Sequence, residues 1–396
     1  MPAPTQKIYY EDPHITDFTA TVLSCEIDIQ TGNLLLTLDK SAFFPEEGGQ
    51  KADTGTINGL PVLDVQIKNE ILTHVLPAGA ADSLSVGDTV TGHVDWSQRF
   101  DFMQQHSGEH ILSGLAHSHY GCNNVGFHLG YEEVTLDFDK VLNPEQVREL
   151  EKEVNRVIQM NLPVFISFPS KEDLSAMDYR SKIEIQGDVR IVEIPGVDVC
   201  ACCAPHVDFT GQIGLLKVTS LQNHRGGVRL NILCGMRAIA DYTNHQNYVT
   251  DVSVLLSAKP EKIGDAVRRL KEESQGRQER INSLQAKLLS QRLAALPDTI
   301  AGSQEPLILF EDKMDAKALR DAVNVMTEKY SGYCGLFSGS DEEGYFYIIG
   351  SKDMDCRNMA NLLREKFGAK GGGSALMVQG TVVAPKDILA KIIKNC

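Results

Sequence analysis

At 396 residues the chain is too long for one core, and roughly two to four domains is the expectation. Its 42% apolar and 23% charged side chains are ordinary for a soluble protein; no apolar run approaches the roughly 20 residues of a membrane helix, and "MPAPTQKIYYEDP" has no secretory n- or h-region. A net charge of −15 argues against a surface that coats nucleic acid broadly, and nine cysteines without a signal point to free thiols or metal ligands rather than disulfides, hence to the cytoplasm.

Residues 18–95 read as short strands. "FTATVLSCEIDIQTGNLLLTL" turns at "QTGN", "GTINGLPVLDVQI" turns at "NGLP", and "LSVGDTVTGHVDW" reads as a further strand pair. Strands at this spacing predict a small β-barrel over residues 1–96. Within it, "FFPEEGGQKADTG" (43–55) is a loop because proline and glycines interrupt any ladder.

Residues 97–236 predict an α+β domain. Apolar steps of three and four over 98–119 predict a helix, and "NPEQVRELEKEVNRVIQMN" a second one capped by Asn143 with Pro144 in its first turn. "DVRIVEIPGVDVCACCAPHV" reads as a strand followed by a turn-rich segment, and "GQIGLLKVTSLQNHRGGVRLNILCG" as two strands. Residues 237–300 predict a helical linker. There Ile263, Val267, Leu270, Ile281, Leu284 and Leu288 form a seam, interrupted at Ser274 and Arg277, that suits either packing on a neighbour or a coiled coil. Residues 301–396 predict a separate α/β domain containing a glycine-rich turn, "GAKGGGS". The fold class expected is thus multidomain α+β.

The chemistry concentrates in "HSGEHILSG". On a helix, positions i and i+4 share a face, so His106 and His110 can converge on one ion. Cys202 and His206 in "CACCAPH" supply a second pair with the same spacing, and three imidazoles with one thiolate suit Zn²⁺, one per chain. Cys203 to His206 is also a feasible spacing, and Cys200 is near, so the choice of thiolate stays open on spacing alone. "HSGEH" equally matches the H-x-x-E-H of inverzincin peptidases. Glu109 would then be general base and a downstream glutamate, among Glu151, Glu153, Glu184 and Glu193, the third ligand; soft thiolate ligation is atypical of such enzymes and "CCAPH" is left without a role. A third reading is a non-catalytic RNA-binding protein with a structural zinc.

"HSGEHILSG" followed by "CCAPHV" and "TGQIG" resembles the editing domain of alanyl-tRNA synthetase and of the freestanding alanyl-tRNA editing proteins, the AlaX family. "FFPEEGGQKADTG", "HVDWSQRFDFMQQHSGEH", "HRGGVRL" and "GAKGGGSALMVQG" extend the likeness over nearly the whole chain, in the long form of that family. The resemblance implies His106, His110, Cys202 and His206 as metal ligands, although the family's common C-G-G-T-H is here Cys-Cys-Ala-Pro-His. It implies substrate contacts from Gly48, Gly49 and Gln50 and, in "NNVGFHLG", from Asn124 and His128. The implied activity is hydrolysis of serine, and sometimes glycine, mistakenly esterified to alanine tRNA. With about 17 residues before the barrel, no adenylating domain is expected. Gln105 and Glu109, beside the ligands, are candidates to position water.

Charge is uneven. Residues 1–258 carry 17 basic and 34 acidic side chains, whereas residues 352–396 carry 8 and 4. Arg364, Lys366 and Lys370, with Gly371, Gly372 and Gly373 exposing backbone N–H groups, are therefore expected to meet the tRNA body. A homodimer is expected through the helical segment or the C-terminal domain, and no membrane contact is.

Overall fold

The computed structural model describes residues 3–181, 189–296 and 304–394. It is a multidomain α+β protein, and its contacts divide it into two compact units, Met1–Val249 and Thr250–Cys396.

The first unit begins with β1 (Gln6–Lys7), β2 (Asp17–Ile27), β3 (Leu34–Leu38), β4 (Lys40–Ser41), β5 (Gly55–Ile57), β6 (Leu60–Val62), β7 (Asp64–Lys68), β8 (Ile71–Leu76) and β9 (Thr89–Val94). Seven of them form one nearly closed, barrel-like sheet in the order β6-β5-β9-β2-β3-β8-β7, and β1 pairs with β4. Alternation drives this: inward residues such as Leu34, Leu36, Leu38, Val65 and Leu72 are buried around Phe43 and Phe44. "LSVGDTVTGHVDW" contributes one strand, β9, rather than a pair. Gly87 takes a left-handed turn just before it, and β9 finds its partners at a distance, in β2 and β5.

The 25-residue helix α1 (Trp96–Tyr120) starts at Asp95, whose side chain accepts from the Ser97 and Gln98 amides, and ends at left-handed Gly121. It is followed by β10 (Asn124–Leu129), β11 (Val134–Phe138), α2 (Pro144–Met160), β12 (Phe165–Ser167), α3 (Lys171–Ala176), β13 (Ile191–Ile194), β14 (Asp198–Ala201), β15 (Leu216–His224) and β16 (Gly227–Cys234). Asn143 and Gln146 close a reciprocal capping box on α2. The sheet β10-β11-β16-β15 and the smaller sheet β12-β13-β14 complete the unit, so "DVRIVEIPGVDVCACC" is a hairpin, β13 and β14, rather than one strand. α1 packs against α2, β14 and β16. Glycine permits the approach: a Cβ on Gly114 would stand 2.5 Å from the Val197 carbonyl oxygen. All but the ends of α1 are therefore buried, His106 and His110 included.

α4 (Gly235–Leu255) spans the boundary between the units. The second unit continues with α5 (Ile263–Ala294), β17 (Leu307–Glu311), α6 (Ala316–Lys329), β18 (Cys334–Ser340), β19 (Gly344–Gly350), α7 (Cys356–Phe367), β20 (Lys370–Gly373), β21 (Met377–Val382) and α8 (Lys386–Lys394). Its sheet runs β17-β18-β19-β21-β20, with β17 parallel to β18 and the other pairs antiparallel. α5 is continuous, but only its last turns, at Leu289 and Leu293, are packed on α6; Val267, Leu270, Ile281, Leu284 and Leu288 are about half exposed. "KGGG" is not a turn. It is the edge strand β20, paired with β21, because glycines admit a backbone approach no side chain would: a Cβ on Gly373 would stand 2.2 Å from the Met377 carbonyl oxygen. No described helix is long and apolar enough to cross a membrane.

Candidate metal centre

His106 and His110 sit one turn apart on α1, with ring centroids 5.4 Å apart. The segment after β14 brings Cys202 and His206 to the same point. The His206 ring lies 4.9 Å from that of His106 and 4.6 Å from that of His110. Cys202 Sγ stands 3.5 Å from His106 Nε2 and 3.3 Å from His206 Nε2. The donor atoms of all four side chains lie within 4.8 Å of one another. A tetrahedral cation with bonds of about 2.0–2.3 Å would space such donors by about 3.3–3.6 Å, so the donor set fits a zinc-sized ion.

Each imidazole is held from behind. His106 Nδ1–H donates to Gln50 Oε1 at 2.8 Å, and His110 Nδ1–H donates to Asp198 Oδ2 at 3.0 Å. His206 Nδ1 meets Ser107 Oγ at 3.0 Å, and that oxygen also accepts from the Val207 amide. These bonds aim the three Nε2 lone pairs at one centre, the arrangement that outer partners of metal-bound histidines create. Asp198 is itself clamped by Arg180, through Nε at 2.7 Å and Nη2 at 2.8 Å.

At Cys202 and His206 the electrostatics agree with ligation. Burial alone would raise the Cys202 thiol, but His106 and His206 beside it hold it well below the ordinary thiol range, so the thiolate is the favoured form. Burial pushes His206 down to about 3, leaving a neutral imidazole with a free lone pair. Burial opposes a charge on His110 as well, yet its bond to Asp198 raises it well above the usual histidine value. Cys203, by contrast, is pushed up by burial and by the neighbouring Cys202, so it stays a thiol.

Other expected residues fall elsewhere. Gln105 is turned away: its Nε2 donates to the Cys234 carbonyl (3.0 Å) and Asp101 (3.1 Å), and its Oε1 accepts from the Cys234 amide. It ties α1 to β16 and has no atom left for a water at the centre. Glu109 Oε2 lies 4.0 Å from His110 Nε2, while its Oε1 accepts from Ser113 Oγ (2.6 Å) and Asn124 Nδ2 (2.5 Å). Asn124 is therefore near the centre, through Glu109. His128 is not: successive residues of β10 face opposite ways, and Phe127 takes the inner face, 4.7 Å from the His106 ring, leaving His128 exposed. Gly48 and Gly49 shape the loop above the centre. Both have positive φ, and a Cβ on Gly49 would stand 2.2 Å from the Phe127 carbonyl oxygen. Leu129 N–H to Gly49 O (2.7 Å) and Lys51 N–H to Leu129 O (3.1 Å) fasten this loop to β10.

The glutamates considered as peptidase ligands are occupied or distant. Glu151 binds Lys217 Nζ at 2.6 Å and the Val218 amide, Glu153 lies 3.4 Å from His119, and Glu193 pairs across the sheet with Phe165. Glu184 lies outside the described residues. Asp198, Ser107, Arg180 and Phe127 were not legible as site residues. Their signal is positional only, an acid four residues before Cys202 and a hydroxyl after His106. In the second unit, Arg364 Nη2 donates to the Gly371 carbonyl at 3.0 Å and so braces β20, while Lys366, Lys370 and the three glycines are exposed.

The model of the threonyl and alanyl tRNA synthetase second additional domain matches residues 189–230, and that of class II (A) tRNA synthetases matches residues 3–98. The alanine–tRNA ligase of Ignicoccus hospitalis is 30% identical over 387 residues, covering 93% of this chain and 40% of that protein. The chain is thus similar, over nearly its whole length, to a part of alanine–tRNA ligases. The alanine–tRNA ligases of Methanoregula boonei (28% identical, 95% of this chain, 41% of that protein) and Pyrococcus abyssi (29%, 98% and 43%) match in the same way. The chain thus spans about two fifths of the length of these relatives. A solved C-Ala domain of Aquifex aeolicus alanyl-tRNA synthetase is 17% identical with a TM-score of 0.22, over 24% of this chain and 92% of that one.

Because Asp198 fixes the tautomer and direction of His110, Asp198→Asn is expected to weaken zinc binding about 10–100-fold without unfolding the unit. Competition with a chromophoric chelator measures this; affinity equal to that of the unsubstituted protein would show that Asp198 serves Arg180 alone.

Proposed function

We propose that this chain is a zinc-dependent hydrolase that removes serine from mischarged alanine tRNA. The observation that carries the reading is the buried set of three imidazoles and one thiolate, in a chain related to alanine–tRNA ligases. His106, His110, Cys202 and His206 would hold the ion. When bound, zinc would supply Lewis acidity at this point. Gln50, Asp198 and Ser107 keep the three imidazoles oriented. Phe127 and the loop of Gly48 and Gly49 border the centre. The Glu109–Ser113–Asn124 network, beside His110, is the polar group assigned to read a side-chain hydroxyl, and a site that hydrogen-bonds such a group discriminates strongly against an analogue lacking it.

The test is incubation with Ser-tRNA and Ala-tRNA of the alanine isoacceptor, with and without chelator. Release of serine alone, abolished by the chelator, is the expected result. Tight tRNA binding without turnover supports instead a structural zinc, the reading favoured by four protein ligands filling a tetrahedral shell. Peptide cleavage would revive the peptidase reading.

The exposed basic residues Arg364, Lys366 and Lys370 and the edge strand β20 are proposed to meet the tRNA body, and the exposed α5 seam to meet a second copy of the chain. An Arg364→Ala, Lys370→Ala double substitution is expected to reduce the slope of log affinity against log salt by about 1.4–1.8, two phosphate contacts' worth. An unchanged slope in filter binding would remove β20 from the interface.

A further inference from the structure

Buried polar atoms are almost always paired, so a group of unpaired ones in one wall marks a place built for a polar guest. Four such atoms gather beside the metal centre: Tyr9 Oη, Glu47 Oε2, Gln50 Nε2 and Arg190 Nε, none with a hydrogen-bond partner among the described residues. Tyr9, Gln50 and Arg190 are 1%, 0% and 5% exposed. They come from three separate segments that meet at the turn carrying Cys202 and Cys203: Tyr9 neighbours Glu47 and Cys203, and Arg190 neighbours Tyr9 and both cysteines. Tyr9 packs edge-on against Tyr10 at 4.9 Å, and the Arg190 guanidinium lies 5.3 Å from the Tyr10 ring centroid. The Arg190 Nη1 group also donates to the Cys202 and Ala204 carbonyls at 2.8 and 2.9 Å, which sets it against the ligand-bearing turn. Cys203 lies beside Glu47, and Gly48 next to that residue would place a Cβ 3.6 Å from the sulfur. Gln50 shares its amide between the recess and His106.

The chemistry of this set is mixed. Glu47 offers an anionic acceptor, Gln50 and Arg190 offer donors, and Tyr9 can do either. A purely anionic guest would face Glu47 as a like charge. A purely cationic one would leave the Arg190 and Gln50 donors unmet. A guest with an ammonium three bonds from oxygen acceptors satisfies all four, and an α-amino ester is such a group. We propose that Tyr9, Glu47, Gln50 and Arg190 form a recess that receives the α-ammonium and adjoining oxygens of the esterified amino acid, Glu47 accepting from the ammonium. This rests on the deacylase reading and adds to it residues that recognise the part common to all amino acids, separate from the side-chain contacts around Glu109.

The probe is alanine tRNA carrying serine through a non-hydrolysable 3′-amide, with and without N-acetylation, which removes the ammonium charge. Binding to the zinc-loaded protein is measured for the unsubstituted chain and for Glu47→Gln, with metal content and Trp96 fluorescence as controls on folding. Acetylation is expected to weaken binding to the unsubstituted protein about tenfold or more, the worth of one charge-assisted hydrogen bond. Glu47→Gln is expected to bind the free-amine probe about tenfold more weakly and to be indifferent to acetylation. Equal weakening by acetylation in both proteins, or unchanged binding in Glu47→Gln, overturns the assignment, including the case in which the recess holds only water. A parallel turnover assay separates the two readings: Ser-tRNA hydrolysis by the unsubstituted protein alongside either negative overturns the recess alone, whereas no hydrolysis overturns the deacylase reading and the recess with it.

Discussion

Arg99→Met is expected to destabilise the first unit by about 3–5 kcal/mol, because it strips the partner from a carboxylate with no access to water. Arg99 and Asp53 are each 1% exposed. Arg99 Nε lies 3.0 Å from both Asp53 oxygens, Nη2 bonds Asp53 Oδ2 as well, and the remaining donors reach the Pro13 and Ala42 carbonyls at 2.9 and 2.6 Å. Four of the fork's five N–H groups are thus used, and lysine, a point charge with three donors, would not replace it. The Phe44 amide donates to Asp53 Oδ2 at 2.6 Å, so the carboxylate also pins both ends of the loop 43–55. That loop delivers Gln50 to His106, which makes the ion pair a support for the centre as well as for the fold. Urea unfolding followed by the chain's single tryptophan, Trp96, which stacks on Phe100 within the same unit, reads the effect directly. An Arg99→Met, Asp53→Asn double substitution is expected to recover part of the loss, since no charge is then left buried. A single substitution costing under about 1 kcal/mol would mean that water reaches Asp53.

What was legible in the sequence were the features set by local chemistry. "QTGN" and Asn58-Gly59 turn hairpins because their residues tolerate positive φ, and Asn143 with Gln146 caps α2. The hairpin between β7 and β8 had no such mark, because Asn69 and Glu70 both adopt positive φ without a glycine. The spacing of His106 and His110 put two imidazoles on one face, but α1 turns about 100° per residue, so neighbouring Gln105 points to β16 instead. The two-residue alternation of β10 likewise exchanged His128 for Phe127. Glycine runs are ambiguous in kind: in "EEGGQ" they serve a turn with positive φ, and in "KGGG" they serve a closely paired strand. The partners that orient the ligands lie far off in sequence, Gln50 by 56 residues from His106 and Asp198 by 88 from His110. Nothing local marks them, since the tertiary fold alone makes them neighbours.

Adjacent cysteines make the sharpest test of the centre. Cys202→Ala is expected to lower zinc affinity by more than the roughly 10–100-fold that an outer partner is worth, and to abolish deacylation. Cys203→Ala is expected to keep the metal. The distinction follows from position: Cys202 Sγ stands 3.3 and 3.5 Å from two Nε2 atoms, with those histidines favouring its thiolate, whereas Cys203 faces Glu47 and is held as a thiol. Binding that favours the folded state adds stability by mass action, about 4 kcal/mol at a thousandfold excess over Kd. Chelator should therefore lower the urea midpoint of the unsubstituted protein and of Cys203→Ala, and leave that of Cys202→Ala unmoved. Metal content near one per chain in Cys202→Ala, with loss in Cys203→Ala, would shift ligation to the second cysteine. That outcome would require the turn at Cys202–His206 to rotate its neighbouring side chain inward, displacing the Glu47 contact on which the recess depends. Retention of metal by both single variants and loss only in the pair would show that either thiolate can complete the set once the three imidazoles are in place.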